Sequence, residues 1–243
     1  MTATDRQTYT RHFNRYELKY LVHYEQAGEF LNLVGRYIER DVNAGPQGVY
    51  RICSLYFDSP ELTAFWEKLD GVKFRRKVRL RKYLNDERDE VFLEIKQRTD
   101  RTVQKRRTRG RLGPLLSLMR RGRGCVARDD VTDEAIWLAD THRLSPKAIT
   151  SYNREAYFGR FERGLRITFD KNVRGRLWRG RFGCDPRRDA FIVPPSMFVL
   201  EVKCNNTVPT WVCSALNSMN LQIWRFSKYC GVINRHVYGG DLL

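Results

Sequence analysis

Charged residues alternate with apolar residues along several short stretches of this chain. The stretch KVRLRKY (77–83) has lysine or arginine at every second position, and FLEIKQR (92–98) alternates glutamate, lysine and arginine in the same way. Because side chains alternate between the two faces of a strand, each set of charges lies on one face. Arginine binds oxyanions through a bidentate fork and lysine binds them as a point charge. The spacing therefore indicates a face that binds oxyanions.

Other predicted strands repeat this pattern. The charged or polar alternating positions are Arg15, Glu17, Lys19; Lys77, Arg79, Arg81; Glu94, Lys96, Arg98; Lys105, Arg107, Arg109; Arg166, Thr168, Asp170; and Glu201, Lys203. A sheet with one solvated face gives the same alternation. However, solvated faces usually mix the two signs of charge, whereas these faces are mostly basic. Their opposite faces, as at Val78, Leu80, Leu93 and Ile95, are apolar and need a cover.

These faces predict a sheet curled into a barrel, with helices on the apolar outside and a charged, water-filled tunnel inside. Cations at close range repel one another unless an anion lies between them, so we expect a ligand rich in phosphate. The carboxylates Glu17, Glu94 and Glu201 suit a hard divalent cation that bridges phosphates. For Glu94 a second interpretation stays open, as the ion-pair partner that spaces the cations.

The overall charge agrees with an anionic partner. The chain has 243 residues, 42% of them hydrophobic, with 45 Lys and Arg against 28 Asp and Glu and a net charge of +17. This length suits one large domain or two small ones. The charge favours nucleic acid, an anionic membrane or phosphorylated small molecules as partners, and a merely basic surface is the plain alternative.

Cysteine usage and hydropathy bear on the compartment. The six cysteines form no C-x-x-C pair and the four histidines have no metal-ligand spacing with them, so we expect reduced, mostly buried thiols and a cytoplasmic protein. We find no signal peptide and no run of about 20 apolar residues, so membrane association is expected only through a partner.

The order of elements predicts an α+β fold with an eight-stranded antiparallel β-barrel and helices packed outside. Residues 1–12 are predicted as a flexible leader, and 13–243 as one domain in which 111–148 form a helical insertion. Strands are predicted at 13–22, 49–60, 77–83, 92–98, 101–110, 148–159, 165–177 and 197–205, with further helices at 24–40, 61–69 and 209–221.

Eight short segments resemble a known family, in the order in which that family carries them. They are ELKY (17–20), SLYFDSP (54–60), KVRLRKY (77–83), FLEIKQR (92–98), SYNREAY (151–157), LRITFD (165–170), VLEVK (199–203) and FSKYCG (226–231). Together they resemble the VTC domain, the polyphosphate-polymerase branch of the triphosphate tunnel metalloenzymes. The resemblance implies that Mn²⁺ or Mg²⁺ assists transfer of the ATP γ-phosphate onto inorganic polyphosphate.

The resemblance also implies roles for individual residues. Those expected to act on the reacting phosphates are Arg79, Arg81, Lys96, Arg154 and Arg166; those expected to bind phosphate are Lys19, Lys68, Lys105, Lys203 and Lys228; and the expected metal ligands are Glu201, Glu94 and Glu17. Lys68 could instead be a solvated helix lysine. Lys105 is chosen over Arg107 and Arg109 because it directly follows the predicted turn.

One position departs from the wider superfamily, whose first strand typically reads E-x-E-x-K. Here Arg15 stands at the first acidic place. Fewer carboxylates mean fewer metal sites, which disfavours the two-metal hydrolases and the adenylyl cyclases. A tunnel hydrolase of triphosphate or polyphosphate stays open, as does a non-catalytic module that binds polyphosphate or inositol phosphates. A nucleic-acid partner is not expected, because the cations alternate inside predicted strands, and the sequence leaves the oligomeric state open.

Overall fold

A computed structural model describes residues 15–45, 47–85, 90–100, 102–122, 124, 126–205 and 207–240 of the chain. The predicted leader, residues 1–12, and the side chain of Arg15 lie outside the described part. The strands are β1 (Arg15–His23), β2 (Ile38–Arg40), β3 (Val49–Asp58), β4 (Phe74–Tyr83), β5 (Glu90–Thr99), β6 (Thr102–Arg111), β7 (Ser145–Gly159), β8 (Arg166–Leu177), β9 (Ala190–Phe191) and β10 (Met197–Asn205). The α-helices are α1 (Gln26–Val34), α2 (Thr63–Leu69), α3 (Leu112–Arg121), α4 (Asp130–Thr141), α5 (Thr210–Ser218) and α6 (Lys228–Val237).

All the strands belong to one antiparallel sheet. Its main path runs β1-β10-β8-β7-β3-β4-β5-β6, while the short strands β2 and β9 pair with β7 and β8 outside that path. The strands of this path correspond to the eight predicted from alternation. The α+β class and the large antiparallel sheet are therefore confirmed.

The prediction of a closed barrel is not confirmed. Among the described residues no backbone ladder joins β1 to β6, which are the two ends of the path. The two end strands nevertheless lie next to each other. Lys96 of β5 reaches across to Glu17 of β1, with 2.9 Å between Nζ and Oε2. The seam is thus spanned by a side-chain ion pair and not by backbone hydrogen bonds.

Four helices cover the convex face of the sheet. Helices α1 and α5 pack over β1, β8 and β10, where Phe30 and Val212 meet Phe169 and Phe198. Helices α3 and α4, which lie within the predicted insertion, pack over β3, β4 and β5, where Leu115 joins the buried side chains of the outer strand faces. Helix α4 begins with a capping box between Asp129 and Thr132, and α3 ends at Gly122 in the left-handed conformation that suits glycine.

Helix α6 packs on the concave face, against the expectation that all helices lie outside. Its residue Tyr229 stacks on Tyr56 of β3, with 5.3 Å between ring centroids. Val232 approaches Gly175 so closely that an added Cβ there would lie 2.3 Å from its Cγ2. The concave face is apolar at this end of the sheet, around Ile52 and Tyr152, and burying that surface favours an inside position for α6.

The predicted helix at 24–40 is also partly wrong. Helix α1 ends at Val34, and a 3₁₀ turn then leads into β2. The apolar residues that suggested a longer helix have other contacts: Ile38 pairs with Gly159 of β7, and the ring of Tyr37 stacks on Trp211 at 4.6 Å. Tertiary pairing therefore outweighs the local helical periodicity.

Two further expectations concern the thiols and the membrane. Of the cysteines in the described part, Cys53, Cys204 and Cys230 are buried, Cys184 is half-buried and Cys213 is exposed, and none of these five forms a disulfide. Within that part of the chain we also find no helix with the length and apolar character needed to span a bilayer.

Candidate functional site

The concave face encloses a cavity of about 2150 Å³ that is strongly basic. Among the described residues, seventeen lysine and arginine side chains line it, against five carboxylates. Every residue predicted for the site lines this cavity except Glu94, which lies beneath its wall. The alternation seen in the sequence thus turns the charged side chains of several strands toward one space, and three buried carboxylate clusters organise them.

The first group, the Glu94 cluster, lies on β4, β5 and β6. Glu94 is 1% exposed, and its Oε2 accepts a hydrogen bond from Arg79 Nε at 2.8 Å. Arg81 Nε lies 3.7 Å from the same oxygen, while Lys105 Nζ lies 2.5 Å from Oε1. Burial alone would raise the pKa of Glu94, but the charges of Arg79, Arg81 and Lys105 outweigh it and hold that pKa well below its usual range. One carboxylate therefore serves three cations.

Lys105 is the cation that this arrangement satisfies least. Burial and repulsion by Arg81 lower the pKa of its amine to about 6, although Glu94 partly offsets both effects. The short contact to Glu94 would by itself favour a charged amine. The two guanidinium groups compete for the same carboxylate, however, and repel the amine, so the pKa of Lys105 shifts downward. An anion in the cavity would restore the charge of Lys105.

The second group, the Asp170 cluster, joins β7, β8 and α6. Arg154 donates two hydrogen bonds to fully buried Asp170, at 2.6 Å and 2.7 Å. Lys228, in the first turn of α6, donates to Asp170 Oδ2 at 2.5 Å. Burial would raise the pKa of Asp170, yet the two cations hold it well below the usual range. This carboxylate fixes the positions of both cations at the cavity wall.

The third group, the Glu17–Glu201 cluster, lies on β1 and β10. The strand register sets Glu17 opposite Lys203 and Lys19 opposite Glu201, so opposite charges alternate both along and across the two strands. Lys19 Nζ lies 3.0 Å from Glu17, and Lys203 Nζ lies 3.2 Å from Glu201. Burial together with the nearby cation Arg154 lowers the pKa of Lys203 to about 8, in spite of both glutamates. Arg154 Nη2 also reaches Glu201, at 3.3 Å, and thereby links this group to the Asp170 cluster.

Two predicted residues lie apart from these clusters. Arg166 is at one end of the cavity, where its Nη2 lies 3.2 Å from Asp41. Lys68 lies on α2 at the opposite end and donates to the carbonyl of Arg225 at 3.3 Å. Burial and repulsion by Lys77 lower the pKa of Lys68 to about 8. Both side chains line the cavity.

The carboxylates meet the needs of a metal ion only in part. In the described part of the chain, no cluster of three or more Asp, Glu, His or Cys side chains is placed to hold a metal. Glu17 and Glu201 are diagonal neighbours in the strand register. Mg²⁺ is commonly bound by one or two carboxylates together with substrate phosphates, so this pair fits a metal that phosphate helps to hold. Glu94 does not fit, since its oxygens already contact three cations.

Sequence reasoning missed several groups of the site. Tyr56 accepts a hydrogen bond from Arg79 at 2.8 Å, and Tyr152 accepts one from Arg81 at 3.2 Å. Burial would raise the pKa of Tyr56, but Arg79 and Arg81 lower it to about 8. Tyrosines in a strand look like core residues in a sequence, so no pattern singled these out. Asp170 was visible only as one charge among many on β8.

The chain matches a known protein family over most of its length. Residues 14–235 match the VTC domain. A search of curated protein sequences returned no match. Three solved structures resemble the chain weakly, at TM-scores too low to carry an argument about fold or activity. A candidate adenylate cyclase from Bacillus halodurans has 13% identity and a TM-score of 0.49, covering 88% of this chain and 95% of its own.

The other two have similar scores. The PH1819 protein from Pyrococcus horikoshii has 14% identity and a TM-score of 0.43, covering 91% of this chain and 100% of its own. A candidate adenylyl cyclase from Hippeastrum, reported to have a dominant triphosphatase activity, has 15% identity and a TM-score of 0.44, covering 93% and 96%. Since the VTC match spans nearly the whole described chain, the chain belongs to the VTC domain family of the triphosphate tunnel superfamily.

Proposed function

We propose that this protein is a metal-dependent polyphosphate polymerase that transfers the γ-phosphate of ATP to a growing inorganic polyphosphate chain. One observation carries the proposal: in the three clusters, four carboxylates, three buried and one half-buried, face eight cations inside a cavity large enough for an extended anion. The surplus positive charge is unfavourable at such short range without a bound polyanion. A VTC domain implies a phosphate ligand, and polyphosphate supplies such charge along its whole length.

The shape of the cavity supports a chain as acceptor more than water. The register of β4 and β5 sets Arg75 and Arg98 at one end of the cavity. Arg166 and Arg109 line the other end. Cations therefore extend along the cavity beyond the three clusters in both directions. A triphosphate hydrolase needs only the clusters themselves, whereas a polymerase also needs a path for its product.

The chemistry asks the protein mainly for positioning and charge neutralisation. Arg79, Arg81 and Arg154 would hold the triphosphate through their guanidinium forks, which buried Glu94 and Asp170 already orient. A terminal oxygen of the polyphosphate chain attacks the γ-phosphorus, the bond from that phosphorus to the β-bridging oxygen breaks, and ADP leaves. No general base is needed, because the attacking oxygen is already anionic at neutral pH.

Glu17 and Glu201 would hold the divalent metal. When bound, Mn²⁺ or Mg²⁺ would supply positive charge to the phosphate oxygens. The lysines around these carboxylates, Lys19, Lys96 and Lys203, would bind the non-bridging oxygens of the donor or of the chain. These preorganised cations would stabilise the negative charge that develops on the leaving oxygen of ADP.

Product analysis with variants tests the proposal. Incubation with ATP and Mn²⁺, followed by a denaturing gel and a phosphate-release assay, should yield polyphosphate. Arg79→Ala should lower kcat by about 30- to 800-fold, the equivalent of losing about 2–4 kcal/mol of preorganised charge stabilisation. Arg79→Lys should recover only part of this loss, because lysine keeps the charge but not the fork.

The control is Arg128→Ala, which removes the same charge from an arginine that is 57% exposed and pairs with Asp133 outside the cavity. It should retain the activity of the unaltered protein. Free phosphate without chains would identify a hydrolase, and the absence of both products would identify a binding module. Full activity in Arg79→Ala would remove Arg79 from the phosphate-binding set.

A further inference from the structure

Three aromatic rings form a wall at one end of the cavity. Tyr50, Tyr83 and Phe92 lie on the neighbouring strands β3, β4 and β5, and we call them the aromatic shelf. The ring centroids of Tyr50 and Tyr83 are 5.7 Å apart and those of Tyr83 and Phe92 are 5.9 Å apart, each pair edge to face. All three rings line the cavity and are half-buried. The cation clusters do not involve them.

The aromatic shelf adjoins the phosphate-binding cations. In the strand register Phe92 pairs with Arg81, and Tyr83 follows Arg81 by two positions on the same face of β4. Two residues of a strand span about 7 Å, so the shelf begins one step outward from the Glu94 cluster. The guanidinium carbon of Arg107 lies 4.9 Å from the centroid of Phe92. A planar group on the shelf would therefore lie beside cations that can take up the phosphates attached to it.

Phe92 faces charge where its neighbours face the core. Val91 and Leu93 are fully buried in the outer core beneath α3 and α4. Phe92 instead points into a basic cavity, where an apolar ring gains nothing from water. A flat ligand stacked on the ring would cover it, and stacking of a base on an aromatic side chain is favourable for every base because every base has a π-face.

Asn85, which follows Tyr83 by two residues and also lines the cavity, has its polar side chain already engaged. The side chain of Asn85 accepts a hydrogen bond from the amide of Arg51 at 2.6 Å and donates one to the carbonyl of Val49 at 3.2 Å. It is therefore committed to holding the β3–β4 edge in place. Recognition at the shelf would act on the face of a ring more than on its hydrogen-bonding edge.

We propose that the aromatic shelf binds the base of the nucleotide donor, so that ATP lies with its adenine on Tyr83 and Phe92 and its γ-phosphate toward Arg79 and Arg154. The proposal rests on the proposed function, in that it takes a nucleoside triphosphate as the donor. It adds a direction: the nucleotide occupies the shelf end of the cavity, and the polyphosphate chain occupies the end near Lys68.

The opposite end supplies a matched control. Trp224 also lines the cavity, but its ring is stacked on Phe226 with 4.2 Å between centroids and 7° between planes. One face of this indole is thus already covered by the protein. Replacing Trp224 removes a large aromatic side chain from the cavity without touching the aromatic shelf.

Binding of ATP and of inorganic tripolyphosphate, measured by calorimetry at one fixed salt concentration, tests the assignment. Tyr83→Leu and Phe92→Leu keep an apolar side chain but remove the ring face. Each should weaken ATP binding by about tenfold or more and leave the Kd for tripolyphosphate within about twofold of the original. Trp224→Leu should leave the Kd for ATP within about twofold of the original.

A comparison within the unaltered protein needs no variant and so does not depend on folding. Ribose 5-triphosphate lacks only the base, and ATP should bind at least about fivefold more tightly. Equal affinities of these two ligands would overturn the proposal, as would equal losses for ATP and tripolyphosphate in the shelf variants. Selective loss of ATP in Trp224→Leu would place the base at the other end and also overturn it.

These results are separable from the test of the polymerase itself. If ATP binds on the shelf but no chains form, the assignment of the shelf stands and the proposed reaction fails. If chains form and the shelf variants bind ATP as before, the reaction stands and the assignment fails.

Discussion

Replacing Glu94 by glutamine would leave three cations of the cavity wall, Arg79, Arg81 and Lys105, without their shared counter-charge. The substitution keeps the volume of the side chain but removes a carboxylate that is 1% exposed and contacts Arg79, Arg81 and Lys105. Removing one partner of a buried ion pair typically costs about 3–5 kcal/mol. For a domain of this size each kcal/mol lowers Tm by about 2–4 °C, so we expect a fall of about 6–20 °C.

The pH of the measurement matters for Glu94→Gln. The folded protein holds the pKa of Glu94 below its usual range, so the carboxylate stabilises the fold above the ordinary carboxyl pKa. That contribution is lost as the pH falls through the lowered folded pKa. The difference in Tm between the two proteins should therefore be complete at pH 7 and should shrink in strong acid.

Added tripolyphosphate tests whether the effect of Glu94→Gln on Tm arises from the charge inside the cavity. An anion bound near Arg79 and Arg81 would replace the missing charge, so added tripolyphosphate should raise the Tm of Glu94→Gln more than that of the unaltered protein. The matched control is Glu134→Gln, which breaks an ion pair with Arg106 on the outer face, at 2.6 Å. Its response to tripolyphosphate should equal that of the unaltered protein.

Two outcomes would refute this reasoning about Glu94. A fall in Tm of less than about 2 °C would show that the three cations do not depend on its charge. An unchanged Tm combined with weaker binding of Mn²⁺ would identify Glu94 as a metal ligand, the other interpretation that the sequence allowed.

The remaining predictions concern protons. At pH 7 the protein should take up protons when tripolyphosphate binds, because a bound anion raises the pKa of Lys105, about 6, and that of Lys203, about 8. Calorimetry in buffers of different ionisation enthalpy measures the number of protons taken up. Binding without proton uptake would contradict the prediction. Tyr56 should titrate near pH 8 in the free protein, as followed by absorbance at 295 nm, and bound tripolyphosphate should move that titration upward by offsetting the charge of Arg79. Loss of the pH 8 transition in Tyr56→Phe would assign it, and a transition found only near pH 10 would refute the prediction.

Alternation of charge was enough to predict much of the fold. A strand has a strict period of two, so the sets at Arg79 and Lys96 could be assigned to one face without any structure. The helical cover also followed, because the opposite faces are apolar. Helix α6 did not follow. No helix was predicted at Lys228–Val237, and a helix can cover either face of a sheet until the bend of the sheet decides which face is concave.

The candidate site, like the fold, could be predicted from the sequence only in part. The sequence identified the cations, because lysine and arginine alternate with apolar residues along the predicted strands and so lie on one face of each strand. It could not show that Glu94 and Asp170 lie beneath those cations, since that depends on strand order and on depth in the wall. Likewise, only the contacts with guanidinium groups show that Tyr56 and Tyr152 belong to the site.

The fate of the γ-phosphate tests the central claim most directly. The protein would be incubated with Mn²⁺ and ATP labelled either at the γ- or at the α-phosphorus, and the products separated by length on a denaturing gel. The account predicts that γ-label enters chains that lengthen with time, while α-label remains in ADP. Release of the γ-label as free phosphate without chains, or conversion of the α-label to a cyclic nucleotide, would contradict it.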